Sequence, residues 1–183
     1  MDVAAVRADE LSPARAAADR RYLAVPAAAL VALVVLLVLA LLHASARDTR
    51  LRQRTAVLTA ARQEAVNLTT IDTATITRDL DRIIAGATGT LRQQFASERA
   101  HAQALATEPS RSRGSVLSAG LVHLDASAGA AQVVIAADAE VTTTPAGTTT
   151  PQSTLKHYRM VLRLRRIGGR WLVSDVAFAG VPQ

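Results

Sequence analysis

Residues 22–42 carry no charged side chain, and the centre of that run reads AALVALVVLLVLALL. At roughly 1.5 Å per residue a helix of this length covers about 30 Å, the thickness of a bilayer's hydrocarbon core, so the run predicts a transmembrane helix. Pro26 falls one turn inside it, where membrane helices tolerate proline, and Tyr22 falls at interfacial depth. A cleaved signal peptide would show a shorter apolar region, about 7 to 15 residues, followed by a small-residue cleavage site. His43-Ala44-Ser45-Ala46 supplies the small residues, but the run is longer and passes directly into an Arg-rich helical pattern, which favours an uncleaved signal anchor.

The flanking arginines are nearly balanced: Arg7, Arg15, Arg20 and Arg21 before the run, Arg47, Arg50, Arg52, Arg54 and Arg62 in the 20 residues after it. Arg20-Arg21 abuts the expected membrane surface, and long domains cross largely regardless of charge. The expected topology is therefore an N-terminus in the cytoplasm and residues 43–183 outside it.

With no Cys, disulfides are excluded, and a domain beyond the membrane has to hold together by core packing alone. The formal charge of +6 lies beyond the run: residues 1–21 balance four Arg against four acids, leaving 17 basic and 11 acidic residues in 43–183. Outside the cytoplasm such a balance suits anionic lipid headgroups before nucleic acid, and arginines that merely solvate helix faces account for it most simply.

Residues 1–21 have low hydrophobicity and no periodic pattern, which predicts an unstructured cytoplasmic tail. From residue 43 a narrow apolar stripe, Leu51, Leu58, Ala61, Ala65 and Leu68, recurs at helical spacing and predicts a helical stalk, with a Thr-rich linker reaching residue 75. The stripe can dock on its own domain or pair with another helix. Thr77 can cap a second helix with Asp79 and Asp81 in its first turn and Leu80, Ile83, Ile84 and Ala87 on one face. Gly86, Thr88 and Gly89 interrupt it, Thr88 being placed to cap the next helical stretch, in which Leu91, Phe95, Ala102 and Leu105 continue to about Ala106. Pro109 and Ser110-Arg111-Ser112-Arg113-Gly114 end the helical half.

The period then becomes two, with strands expected at 116–124, 131–141, 155–167 and 171–178. In the third, Tyr158, Met160, Leu162 and Leu164 alternate with His157, Arg159, Arg163 and Arg165, one buried and one wet face. Gly168-Gly169 signals a tight hairpin, and 142–152 reads as a longer loop. The expected class is α+β: an N-terminal transmembrane helix and helical stalk, then, over residues 76–183, helices packed on a curved four-stranded antiparallel sheet.

The stretch Asp79-Leu80-Asp81-Arg82-Ile83-Ile84-Ala85-Gly86-Ala87-Thr88-Gly89 with Phe95, and the terminal Gly169-Arg170-Trp171-Leu172-Val173-Ser174-Asp175, resemble the Mce-associated membrane proteins of actinobacteria over roughly residues 22–180. The resemblance implies a transmembrane anchor followed by a cone-like, nuclear-transport-factor-2-like domain, and a place beside the mammalian-cell-entry (Mce) lipid-import systems. The chain departs from the family pattern in having no aromatic at 70–73 or near the end of the long helix.

Motifs of chemistry are missing. His43, His101, His123 and His157 have no short metal-ligand spacing, and no Gly-rich phosphate loop, GxSxG elbow or HExxH occurs. Related cone-shaped folds include isomerases and dehydratases, so Asp175, Asp138, Glu140 and Tyr158 are the acid/base candidates. Asp175 shares a strand side with Trp171 and Val173, which points it inward, but a lone carboxylate at a strand end more often bonds a backbone amide; Tyr158 lies on the apolar face and reads as core. Arg159, Arg163, Arg165, Arg166 and Arg170 form a basic stripe with one aromatic, Trp171, among them, a pattern that argues against nucleic acid and suits an acidic partner surface, an anionic lipid or plain solvation.

The expected function is a non-catalytic accessory or assembly subunit of an Mce-type lipid transporter in the cell envelope. No catalytic, cofactor-binding or metal-binding residue is expected. Mce or permease subunits are the expected partners, with a homo-oligomer as a further possibility. A scaffold of a type IV secretion-like apparatus and an exported small-ligand binder or enzyme using the cone cavity are the alternatives.

Overall fold

The computed structural model describes residues 13–105, 109–145 and 147–179. The chain divides into two compact units, Met1–Thr49 and Arg50–Gln183, and helix α1, Pro13–Thr69, contributes residues to both.

In the first unit the tail expected over 1–21 lies outside the described residues through residue 12; from Pro13 the backbone is helical. Ala14, Ala16, Ala17 and Ala18 favour the helix intrinsically, which the low hydrophobicity of the segment concealed. Leu30, Leu33, Leu36, Leu37, Leu39 and Leu41 are all exposed. Among the described residues no helix is long and apolar enough to cross a membrane. The side chains of residues 22–29, 31, 32 and 42, which belong to the expected span, lie outside the described residues.

In the second unit the later part of α1 is core rather than stalk. Val57, Ala61 and Ala65, four residues apart, are fully buried in one cluster with the sheet, while Leu58 is half-buried and Leu51 exposed. Alanine at two of these three positions lets the helix approach the sheet closely. The domain therefore begins well before residue 76.

After α1 a 3-10 turn, Thr73–Thr75, leads into α2, Ile76–Gly86; α3, Gly89–Ala100, and α4, Ala102–Leu105, complete the helical half. Thr75 rather than Thr77 holds the N-cap position of α2. The entry is organised by Asp79, 2 % exposed: its Oδ2 accepts from the Asp72 amide at 2.9 Å and from Thr75 Oγ1 at 3.0 Å. Its Oδ1 forms an ion pair with Arg82 at 2.9 Å, outside hydrogen-bond alignment. Leu80, Ile83 and Ala102 form a second small cluster with Leu68, Ile71, Ile76 and Phe95. The expected break between α2 and α3 is present, with Gly89 at φ +58° and Thr88 at the N-cap position, though the Thr88 side chain makes no cap bond. Instead the Thr88 amide donates to Val173 O at 2.8 Å, and Ala87 bridges Val173 in parallel.

The sheet is an antiparallel meander of β1, Ser110–Asp125, β2, Ala130–Thr143, β3, Gln152–Ile167, and β4, Arg170–Phe178, in the spatial order of the chain. Strand β1 begins six residues before the expected 116, because Ser110-Arg111-Ser112-Arg113-Gly114, expected only to end the helical half, is already strand. Its partners are non-local: Ser112 N donates to Ile71 O at 2.7 Å, Gly114 N to Thr70 Oγ1 at 3.0 Å, and Arg111 pairs with Asp72 at 2.7 Å. The same pairing carries β2 to Thr143 and β3 back to Gln152, shortening the expected loop at both ends. Gly168 and Gly169, at φ +56° and +82°, make the tight β3–β4 turn that only glycine adopts cheaply at both positions.

One face carries Ala131, Val133, Ile135, Ala137, Met160, Leu162, Leu164, Trp171 and Val173, all buried under the helices. Register shifts between Val116 and Ser118, between Leu121 and His123, and opposite Arg163/Leu164 bend the strands into a curved sheet.

Candidate functional site

A groove of about 700 Å³, open to solvent, lies in the second unit, among α1, the end of α2 and the turn into β4. Ala56, Ala60, Glu64, Asn67, Gly86 and Trp171 are among the residues that line it. Its methyl-sized walls follow from the alanines and Gly86, and the indole of Trp171, 8 % exposed, closes it against the core.

Glu64 is the chemical centre of this groove and is 2 % exposed. Asn67 Nδ2 donates to Glu64 Oε2 at 3.0 Å, and Gln63 Nε2 donates to Asn67 Oδ1 at 3.1 Å, fixing which way the amide points. Oε1 is buried with no hydrogen-bond partner among the described residues. Burial pushes the carboxyl up to about 7 against the opposing effect of the Asn67 bond. Near neutral pH this group can accept or release a proton.

Sequence reasoning did not single out Glu64 or Asn67, although the signal was there. Val57, Ala61, Glu64 and Leu68 follow spacings of four, three and four, which puts a glutamate in the apolar stripe of α1.

The expected acid/base candidates do not meet one another. Asp175 does not point inward: Arg163 pairs with Asp175 and Leu164 with Val173, so Ser174 is the extra residue of a bulge. That bulge turns Asp175 to the outer face, where Arg163 lies 3.2 Å away and the carboxylate is half exposed. Asp138 bonds His157 at 2.6 Å on the same outer face, and Glu140 is exposed. Tyr158 is half-buried against Phe178, ring centroids 6.0 Å apart, and packs on the core as its position in the alternation implied.

Of the histidines, His43 and His123 are exposed, His101 Nδ1 lies 3.2 Å from Ser97 O, and His157 serves Asp138. Among the described residues no group of three or more His, Asp or Glu could hold a metal. The basic stripe narrows to Arg159, Arg163 and Arg165 on the outer face; Arg166 stands opposite Trp171 at the end of the other face, and all are exposed. A second groove, of about 530 Å³, brings His123, Gln132, Arg163 and Asp175 near Thr88.

The family model described as "Uncharacterized protein Rv1363c/MT1408-like" matches residues 21–181, nearly the whole chain. The chain belongs to this family. It is of the Mce-associated type and carries a nuclear-transport-factor-2-like domain, as the two motifs implied. No curated protein matches the sequence. Among solved structures, CagV, a VirB8 homologue of the Helicobacter pylori type IV secretion system, is 9 % identical with a TM-score of 0.52, covering 69 % of this chain and 98 % of its own. An IcmL-like type IV secretion system protein of Legionella pneumophila is 13 % identical with a TM-score of 0.50, covering 71 % and 93 %. At these identities what is shared is the fold.

Proposed function

We propose that this family member is a membrane-anchored, non-catalytic accessory or assembly subunit of an Mce-type envelope lipid-transport system. The observation that carries the reading is the extent of the family match, residues 21–181, which takes in the uncharged run and the whole α+β domain as one inherited unit. In this reading residues 22–42 are the anchor, the N-terminus is cytoplasmic and the domain lies outside, where the excess of 17 basic over 11 acidic residues in 43–183 faces acidic partners. The scatter of Asp138, Asp175, Glu140 and Tyr158 supports action through surfaces rather than through a catalytic constellation.

Purification of the full chain through a C-terminal tag in mild detergent tests this directly. Recovery of permease or Mce subunits is the expected result; a soluble mature product starting near Ala46, or reporter activity only from an N-terminal fusion, overturns the anchor and its orientation.

A second reading has a specific observation behind it: CagV and the IcmL-like protein, both named as type IV secretion components, share the fold at TM-scores of 0.52 and 0.50. A scaffold role in a secretion-like apparatus predicts conjugation ATPases, not permeases, among the co-purifying proteins and neighbouring genes.

A further inference from the structure

We propose that the outer face of the sheet seats a second copy of this chain, the two copies related by a twofold axis along the seam between β2 and β3. Three observations converge. The first is bulk. Along the seam β2 turns Ala130, Val134 and Ala136 outward, and β3 turns out Arg165, Val161 and Arg159 directly opposite them, so a shallow furrow runs beside a raised ridge. A twofold along the seam lays each ridge in the furrow of the other copy, with Arg159 over Ala136, Arg165 over Ala130 and Val161 over Val134.

The second is charge. Asp138 and His157 lie 2.6 Å apart across the same seam, and the twofold sets that pair against its own reversed copy, carboxylate over imidazole and imidazole over carboxylate. In the row that joins all four strands nearby, Asp175 on β4 comes over His123 on β1, and Arg163 over Gln132. A twofold running across the strands through Val134 and Val161 would instead put Arg159 of one copy over Arg163 of the other, where like charges repel.

The third is uncovered apolar surface. Gly120, Val134, Val161 and Ala177 form one row across the sheet, and Val134, in mid-sheet, is 42 % exposed. Four strands about 4.8 Å apart with ladders about 34 Å long present roughly 650 Å² in projection, near the ~800 Å² per partner of a standard interface. The inference does not depend on the lipid-transport reading: a failure to recover Mce or permease subunits leaves it standing, and its own failure leaves that reading standing.

The test mixes two differently tagged full chains in mild detergent and counts dimers by native mass spectrometry. Ala136→Arg alone fills the furrow opposite the Arg159 ridge and is expected to weaken its own dimer at least tenfold. A chain carrying only Arg159→Ala supplies the space that the first variant lacks, so the mixture is expected to form the mixed dimer at least tenfold in preference to the Ala136→Arg dimer. Relief within one chain cannot produce that preference, because the Ala136→Arg chain keeps its own Arg159. The chain has no Cys, so a second measurement decides the matter if Ala136→Arg does not fold: Val134→Cys and Val161→Cys chains are expected to be joined by a short bismaleimide. A native chain that stays monomeric, a dimer indifferent to Ala136→Arg, a mixture with no preference for the mixed dimer, or linkage through Leu51→Cys on the exposed side of α1 in place of the sheet pair overturns the proposal.

Discussion

Gly86 stands so close to Glu64 that a Cβ at its position would lie 1.9 Å from the carboxyl Oε2. Gly→Ala near a helix end ordinarily stabilises by roughly 0.5 to 1 kcal/mol. Here the buried carboxyl would have to leave both its pocket and Asn67, so Gly86→Ala is expected to destabilise fragment 50–183 by about 1 to 3 kcal/mol. Urea denaturation measures it, and Glu64→Ala in the same chain should relieve most of the clash. A single variant more stable than the native fragment would show that the two residues do not press on one another.

Glu64 also predicts a pH dependence of definite sign. Its folded-state value, about 7, lies above the ordinary 4.5, so the folded chain holds the proton more tightly. The stabilisation is complete below about pH 4.5 and falls away as pH rises towards 7; at 1.36 kcal/mol per unit it amounts to roughly 3 kcal/mol at most. Glu64→Gln is expected to flatten this part of the curve. Asp72, Asp81 and Asp125 act in a separate window: the amide of Ala74, the guanidinium of Arg99 and the hydroxyl of Ser127, respectively, are the main causes that hold them below 3.8, so their contribution is lost only in stronger acid. Parallel curves for native and variant fragments between pH 4.5 and 7.5 would contradict the assignment.

Trp171→Ala is expected to cost about 3 to 5 kcal/mol, because the ring is 8 % exposed and packs with Val173, Leu164 and α1 in the main cluster. Thermal unfolding of fragment 50–183 reads this as a large fall in melting point. An unchanged melting point would make the ring a surface contact.

On the outer face, Arg159→Glu with Arg163→Glu is expected to impair complementation of a deletion strain or recovery of partners while stability changes by less than about 1 kcal/mol, since the Arg163–Asp175 pair is exposed. Asp175→Asn, Asp138→Asn and Tyr158→Phe are expected to leave complementation intact. Loss of function from one of these three at normal abundance would move the protein towards catalysis.

Period-two alternation and the Gly168-Gly169 turn made the sheet legible, and Tyr158 to Leu164 took the faces the alternation assigned. What escaped depended on contacts distant in sequence. Residues 110–114 lie outside the expected first strand because their strand character comes from Ile71, Thr70 and Val141–Thr143, none of them local. The inward direction of Asp175 failed at a single inserted residue, Ser174, since a bulge reverses every face assignment beyond it. Glu64 was hidden by its own charge: a glutamate beside alanines reads as the wet side of a helix until the sheet beneath it is seen.

The two interruptions of the helical half clasp the ends of the meander. Ala87 and Thr88 hold Val173 on β4, and Thr70, Ile71 and Asp72 hold Gly114, Ser112 and Arg111 on β1, so each outermost strand is gripped along a short stretch by a segment that joins two helices. Strands that end a sheet recruit foreign strands when their amides are bare. Loosening either clasp, at Thr88 or at Asp72, would therefore turn an orderly fold into a template for its own copies, and the first symptom of damage at the helix breaks would be self-association well before the core gives way.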